Sequence, residues 1–301
     1  MKFLQHVYGC FAGLILILNT LFWGLPIMVF GFFKQMSENE SWQKFWSKPV
    51  VAFCTGWGYV CILMEKIVLP VKYNLTYKGE PLSQDQSYLI LSNHQSMTDI
   101  PVLVRAVLGK VPFMRFFAKA SLKKVPVFGT AWTAIDCPFM KRYSKEFLAQ
   151  NPHLKGKDLE ETIASCRKLR HSHVSITNYV EGTRFTLKKH EETQSPYKHL
   201  LAPRAGGVAL AIAALEGKLQ KIVDLTVYYH QKQNTLWDYL CGRLKEVTVH
   251  VEVREIPAHF YQGDYQNDPE FKAEFQAWLN VIWQDKDQLL DTIDKSVSPK
   301  S

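Results

Sequence analysis

Residues 7–33 (VYGCFAGLILILNTLFWGLPIMVFGFF) contain no charged side chain. At ~1.5 Å rise per residue, a helix of this length outruns the ~30 Å hydrocarbon core of a bilayer. A chain with such a segment either buries it in a large core or leaves it in lipid, and the uncharged length favours lipid. A cleavable signal peptide fits poorly, because the apolar run is too long and no small-x-small site precedes Lys34. Pro26 is expected to kink the helix, with the neighbouring turn absorbing the lost hydrogen bond. A second apolar run at 49–64 (PVVAFCTGWGYVCILM) ends at Glu65-Lys66. Two arrangements fit the pair: a hairpin that spans the bilayer and a hairpin embedded in one leaflet. Lys34, Lys44 and Lys48 lie in the connection while Lys2, Lys66, Lys72 and Lys78 flank it, so positive charge does not choose an orientation.

From about residue 73 the periodicity changes to that of an α/β domain. Tyr73–Lys78, Tyr88–Ser92, Phe113–Ala118, Val174–Val180, Ile222–Tyr229 and Val247–Val253 read as strands. Ile100–Leu108, Leu159–His171 and Val208–Leu215 read as helices, and Ala131–Cys137 is too short to assign to either. Asp268-Pro269-Glu270 opens a final helix with Asp268 as cap and Pro269 at its first position. Its stripe of Phe271, Phe275, Trp278, Leu279 and Ile282 is expected to pack on the domain. The fold class is therefore α/β: a mixed, largely parallel sheet flanked by helices, preceded by a hydrophobic membrane helix or two-helix hairpin. The expected division is an anchoring segment over 1–70, the α/β domain over 71–255 and a helical extension over 256–301.

A net charge of +8 suits an anionic partner such as a lipid head-group surface, a CoA-type thioester or a nucleic acid. The apolar leader and the lack of a recognised nucleic-acid motif argue against the last. Cys10, Cys54, Cys61, Cys137, Cys166 and Cys241 show no CxxC spacing, which argues against a disulfide framework or a Cys zinc site. His171-Ser172-His173 has no evident third ligand, so no metal is expected.

Two segments carry chemistry. Asn93-His94-Gln95-Ser96-Met97-Thr98-Asp99 follows a strand and precedes a helix, where sites of α/β sheets gather. A histidine there with a carboxylate five residues on can form a dyad. The carboxylate would fix the tautomer, leaving the other ring nitrogen to take a proton from a hydroxyl. Spacing alone also permits an Asp helix cap beside a structural histidine. Ser96 reads as a hydrogen-bonding loop residue rather than a nucleophile. Glu181-Gly182-Thr183-Arg184 closes a second strand. Gly182 allows close backbone approach, and Arg184 offers a planar fork suited to phosphate, although a plain turn with a surface Arg has the same sequence. Leu201–Gly207 likewise reads as an anion-facing helix start or a simple turn.

Both segments together resemble the glycerolipid acyltransferase family that includes the lysophosphatidate acyltransferases. Its NHxxxxD motif matches at Asn93, His94 and Asp99, and its EGTR motif at Glu181 to Arg184. Two intermediate blocks, Lys119–Gly129 and Phe139–Arg142, have counterparts in the right order, and the similarity covers roughly 70–230. Trp237–Arg243 with the long leader is similar to a bacterial subgroup. The resemblance implies His94 as general base and Asp99 as its orienter. It implies a substrate pocket holding the acceptor's phosphate with Arg184, Arg142 and Lys119 and shaped by Asn93, Glu181, Gly182 and Thr183. It implies no cofactor beyond the co-substrate, an acyl-CoA or acyl carrier protein thioester. The acceptor is a lysophospholipid, with 1-acyl-glycerol-3-phosphate as the first expectation. The implied location is a bacterial inner membrane, catalytic domain on the cytoplasmic side, among membrane lipids as partners. One departure is that Ile222–Tyr228 lacks the proline usual in the family's last block, which bears on acyl-chain or acceptor preference. A remodelling enzyme for another lysophospholipid and a non-catalytic lipid-binding protein on the same fold are the alternatives. Free thiol released from acyl-CoA only when acceptor is present separates the first two from the third.

Overall fold

A computed structural model of the chain describes residues 2–125, 128–140, 150–151, 160, 163, 166, 169, 172–232, 234–265 and 267–297. The N-terminal apolar runs become two helices, α1 (Lys2–Gln35) and α2 (Glu40–Val68), both long and apolar enough to cross a membrane. Helix α2 starts well before its apolar run because the Asn39 side chain accepts the Trp42 N–H and caps it there. Both helices continue through their prolines, Pro26 and Pro49. Asn19 donates to Cys61 Sγ at 3.3 Å and Trp57 Nε1 to Thr20 Oγ1 at 3.2 Å, tying the hairpin together.

The hairpin is docked on the rest of the chain. The buried face of α1 is made mostly of small residues, Gly9, Ala12, Gly24 and Gly31 with Asn19, Ile27 and Lys34. A methyl group added at Gly31 would lie 2.5 Å from Ala134 Cβ, and one at Gly9 would lie 2.6 Å from Cys241 Sγ. These contacts are ~33 Å apart along the helix at ~1.5 Å per residue, so the domain runs beside most of α1. Lys34 closes the far end by pairing with Asp136 and donating to Ala134 O at 2.9 Å.

The described strands are β1 (Lys72–Lys78), β2 (Tyr88–Ser92), β3 (Met114–Phe116), β4 (Ala118–Lys119), β5 (Phe139–Met140), β6 (Ser175–Tyr179), β7 (Lys221–Tyr229) and β8 (Glu246–Glu255). Six of them form one sheet in the order β1-β8-β7-β2-β6-β3, while β4 and β5 pair with each other. All pairings are parallel except β7 with β8. The central strand β2 is buried throughout, which explains its continuous apolar run. The described helices after the hairpin are α3 (Asp99–Val107), α4 (Phe128–Ala134), α5 (Leu187–Thr193), α6 (Gly206–Ala214), α7 (Leu236–Leu240) and α8 (Pro269–Val297). One face of the sheet packs on α6 and α8, the other on α3 and part of α1. Asp268 Oδ1 accepts the N–H groups of Glu270 and Phe271 at 2.9 and 3.0 Å, starting α8 as its sequence predicts.

Two expectations change. The single strand expected over Phe113–Ala118 is split: Met114–Phe116 stays at the sheet edge, and Ala118–Lys119 leaves it to pair with β5. The undecided Ala131–Cys137 stretch is the end of α4 followed by a turn in which Asp136 has φ 57. Most of the helix expected over Leu159–His171 lies outside the described residues, and so does Arg142.

Candidate active site

Register sets up the site. Ser92, the last residue of β2, lies opposite Tyr179, the last of β6, and opposite Leu225 on β7. The loops that follow β2 and β6 therefore leave the sheet side by side. Asn93 comes next and is 1% exposed. Its Nδ2 donates to Val227 O and its Oδ1 accepts from Val227 N, both at 2.9 Å. The amide thus acts as one more rung of the sheet. This pairing with β7 fixes the residue that the resemblance assigns to the substrate pocket.

With Asn93 fastened, the chain turns and His94 meets Asp99, the first residue of α3. Four donors converge on the buried Asp99 carboxylate. Oδ2 accepts from His94 Nδ1 at 2.7 Å, Gln95 N at 2.8 Å and Ser96 N at 3.0 Å, and Oδ1 accepts from Tyr229 Oη at 2.6 Å. A carboxylate holding its partner this way assigns the proton to Nδ1 and leaves Nε2 as the acceptor. The imidazole stacks on Tyr179 with centroids 4.0 Å apart and planes 16° apart. Its side chain is 16% exposed, so solvent or substrate reaches one edge only. Burial and the nearby Asp99 hold the Tyr179 phenol well above its usual pKa range, and burial does the same for Tyr229. Ser96 is buried and its Oγ donates to Asn234 O at 2.5 Å, joined there by Thr98 Oγ1 at 2.8 Å. That hydroxyl fastens the loop.

The second motif turns back toward the first. Gly182 adopts φ 70 and donates to Tyr179 O at 2.9 Å, a tight turn that favours glycine. Glu181 points inward and is 1% exposed. Its two oxygens accept the backbone N–H groups of His94 at 3.1 Å and Leu201 at 3.2 Å. Burial pushes this carboxyl up to about 8, against the lowering effect of the two N–H groups and of the Lys286 charge. The Phe185 N–H donates to His94 O at 2.7 Å, so the EGTR turn grips His94 at both backbone groups. Lys189 Nζ donates to Thr183 Oγ1 at 2.5 Å and to Arg184 O at 3.1 Å. Arg184 is exposed, and no described residue pairs with its guanidinium. Thr183 and Arg184 thus stand on the rim, while Glu181 works underneath. The backbone of Lys119 pairs with Met140, which brings the two intermediate blocks together.

Tyr179, Tyr229 and Val227 are the partners that no motif announced, and their only sequence signal is position at or near strand ends, which acquires meaning once the register is known. Leu201, in the loop read as an anion-facing helix start or a simple turn, instead donates to Glu181.

The family model for acyltransferases matches residues 74–230, more than half of the chain. The chain belongs to the acyltransferase family. Among relatives, human 1-acyl-sn-glycerol-3-phosphate acyltransferase delta is 29% identical over 58% of this chain and 43% of its own length. The probable 1-acyl-sn-glycerol-3-phosphate acyltransferase 5 of Arabidopsis thaliana is 23% identical over 82% of this chain and 64% of its own. The chain thus spans less than half the length of the human relative. The crystal structure of the 1-acyl-sn-glycerophosphate (LPA) acyltransferase PlsC from Thermotoga maritima shares the fold, with TM-score 0.50 and 17% identity over 92% of this chain and 95% of that one.

Proposed function

We propose that this protein transfers a fatty acyl chain from a CoA or acyl carrier protein thioester to the free hydroxyl of a lysophospholipid, with 1-acyl-glycerol-3-phosphate as the acceptor. The observation that carries the reading is the Asp99-held imidazole of His94, with Nδ1 engaged, on a loop whose backbone is gripped by the turn that bears the exposed Arg184. Nε2 takes the hydroxyl proton as the acceptor oxygen attacks the thioester carbonyl. A carbon–oxygen bond forms and the carbonyl becomes a tetrahedral oxyanion. The oxyanion collapses, the carbon–sulfur bond breaks, and the leaving thiolate takes the proton back from the imidazolium. Asp99 supports that imidazolium, and no acyl-enzyme is formed. Arg184, with Lys119 and Arg142, binds the acceptor's phosphate, Thr183 adds a rim hydroxyl, and Gly182 and Glu181 shape the turn that carries them.

The same reading sets the protein on a membrane. Because the domain lies beside α1 for ~33 Å, the hairpin rests in one leaflet with its exposed Phe and Leu face in the acyl chains. The catalytic face then looks toward the cytoplasmic side of a bacterial inner membrane. The reading is tested by thiol release from acyl-CoA in detergent or liposomes. Release depends on lysophosphatidate, and His94→Ala lowers kcat by about 10²–10⁴-fold while membrane association survives. Full transfer activity in His94→Ala would overturn it.

A further inference from the structure

The C-terminal helix α8 lies outside the matched residues 74–230, and its buried face meets the site by two separate routes. The first is a chain of hydrogen bonds through buried groups. Trp283 Nε1 donates to Leu201 O at 3.0 Å, Leu201 N donates to Glu181 Oε2 at 3.2 Å, and Glu181 Oε1 accepts from His94 N at 3.1 Å. Trp283 is fully buried and Leu201 is buried too, so water cannot replace these bonds cheaply. The second route begins one helical turn later. Lys286 is fully buried, and its ammonium lies 5.2 Å from the Trp283 ring centroid. It pairs with Asp224 at 2.6 Å and donates to Leu225 O at 2.7 Å and Thr226 Oγ1 at 3.1 Å. The next residue of β7 is Val227, whose backbone N–H and C=O are both held by Asn93. The two routes therefore end on adjacent residues, Asn93 and His94.

We infer that α8 is a positioning element of the acyl-transfer site, with Trp283 and Lys286 as the residues that fix the backbone carrying His94. The inference rests on the reading of His94 as the general base. A catalytic imidazole has to be held within a fraction of an ångström of the productive geometry, and the groups behind it do the holding. The side chain of His94 is held by Asp99 and Tyr179, but its peptide groups depend on Glu181 and Phe185. Glu181 in turn has one oxygen on His94 and the other on the loop at Leu201 that Trp283 anchors. Both Trp283 and Lys286 are buried, and their described hydrogen bonds go to Leu201, Leu225 and Thr226 rather than to His94 or Asp99, so both act through the backbone.

The test compares Trp283→Phe, which keeps a smaller aromatic ring and deletes the donor, with Leu290→Ala, which empties a buried position on the same helix and removes neither Trp283 nor Lys286. Both are made in the full chain in detergent. Acyl-CoA and lysophosphatidate kinetics, melting temperature, and hydrogen–deuterium exchange of the segment 92–96 are read for each. Trp283→Phe is expected to lower kcat about tenfold with KM within twofold, and to speed amide exchange over 92–96 about tenfold. Leu290→Ala is expected to lower the melting temperature at least as much while leaving kcat and that exchange unchanged. A Trp283→Phe enzyme with wild-type kcat and exchange overturns the inference, as does a Leu290→Ala enzyme that loses kcat equally. If the wild-type protein transfers no acyl group at all, the acyl-transfer reading fails, and the exchange data still decide whether α8 holds the His94 backbone.

Discussion

Helix α1 buries Gly9, Ala12, Gly24 and Gly31 and leaves Phe11, Leu14, Leu18, Phe22, Leu25 and Phe32 outside. Helix α8 does the reverse, with Phe275, Leu279, Ile282, Trp283 and Leu290 inside and its charges outside except for the buried, Asp224-paired Lys286. Both have one face on the domain and follow the same helical period. On the proposed membrane placement, the difference lies in the medium on the far side. Water beyond α8 makes burial of large apolar groups favourable at ~25 cal/mol per Å². In the proposed placement, hydrocarbon beyond α1 removes that drive, and close contact through small residues takes over. Amphipathicity read with the sign appropriate to water would turn α1 inside out.

The largest effects come from exchanging equivalent residues between the two helices. Phe275→Ala empties a fully buried site and is expected to cost about 4 kcal/mol in denaturant unfolding. Phe22→Ala, at a position 72% exposed, is expected to leave unfolding in detergent within about 0.5 kcal/mol. It should instead weaken liposome binding by about 2 kcal/mol in a sedimentation assay. A Phe22 variant that unfolds as easily as the Phe275 variant would show that α1 faces protein. Next comes Lys286→Met, expected to cost about 3 kcal/mol by leaving Asp224 buried without its ammonium. The Lys286–Asp224 contact is a close charge pair rather than an aligned hydrogen bond, and Arg254 Nε stands 3.7 Å from the carboxylate. Asp224→Asn added to Lys286→Met should therefore recover much of the loss. Absence of recovery would assign the cost to packing.

A smaller effect is expected where the hairpin meets the domain. Gly31→Ala puts a methyl 2.5 Å from Ala134 Cβ and should cost about 2 kcal/mol, whereas Gly13→Ala, with its nearest contact at 3.8 Å, should be neutral or slightly stabilising. Equal melting temperatures for the two would mean that the hairpin is not docked as described.

The sequence carried the strands of the sheet, the cap of α8 and the two motif loops because each is written in local pattern. It carried the contact between His94 and Asp99 because the two are five residues apart on one loop and helix start. It did not carry Tyr229, which is 130 residues from Asp99, or the Trp283–Leu201 bond across 82 residues. Those depend on strand order, which no local spacing encodes. The direction of Glu181 was hidden for another reason. An EGTR turn reads the same whether its carboxylate faces substrate or the backbone beneath, and only the inward Tyr179 turn decides. The docking of α1 was hidden in its glycines, which in a membrane helix look like any other small residue.

Glu181 is the buried carboxyl through which the Trp283 route from α8 reaches His94. Its carboxyl titrates at about 8 in the folded protein, against an ordinary value of 4.5 that applies once the chain unfolds. Between those values the folded state keeps a proton that the unfolded state has released. The stabilising contribution is therefore complete below 4.5 and declines as pH rises through about 8. Between pH 6 and 7 one such proton changes unfolding free energy by about 1 kcal/mol. Glu181→Gln should flatten that slope. It should also lower stability at every pH, because an amide presents only one acceptor oxygen to two inward N–H groups. The slope is read from urea unfolding at pH 5, 6, 7 and 8. A slope unchanged in Glu181→Gln would assign the proton elsewhere. Lys286 cannot supply that slope, because burial lowers the pKa of its ammonium and a lowered lysine makes stability rise with pH.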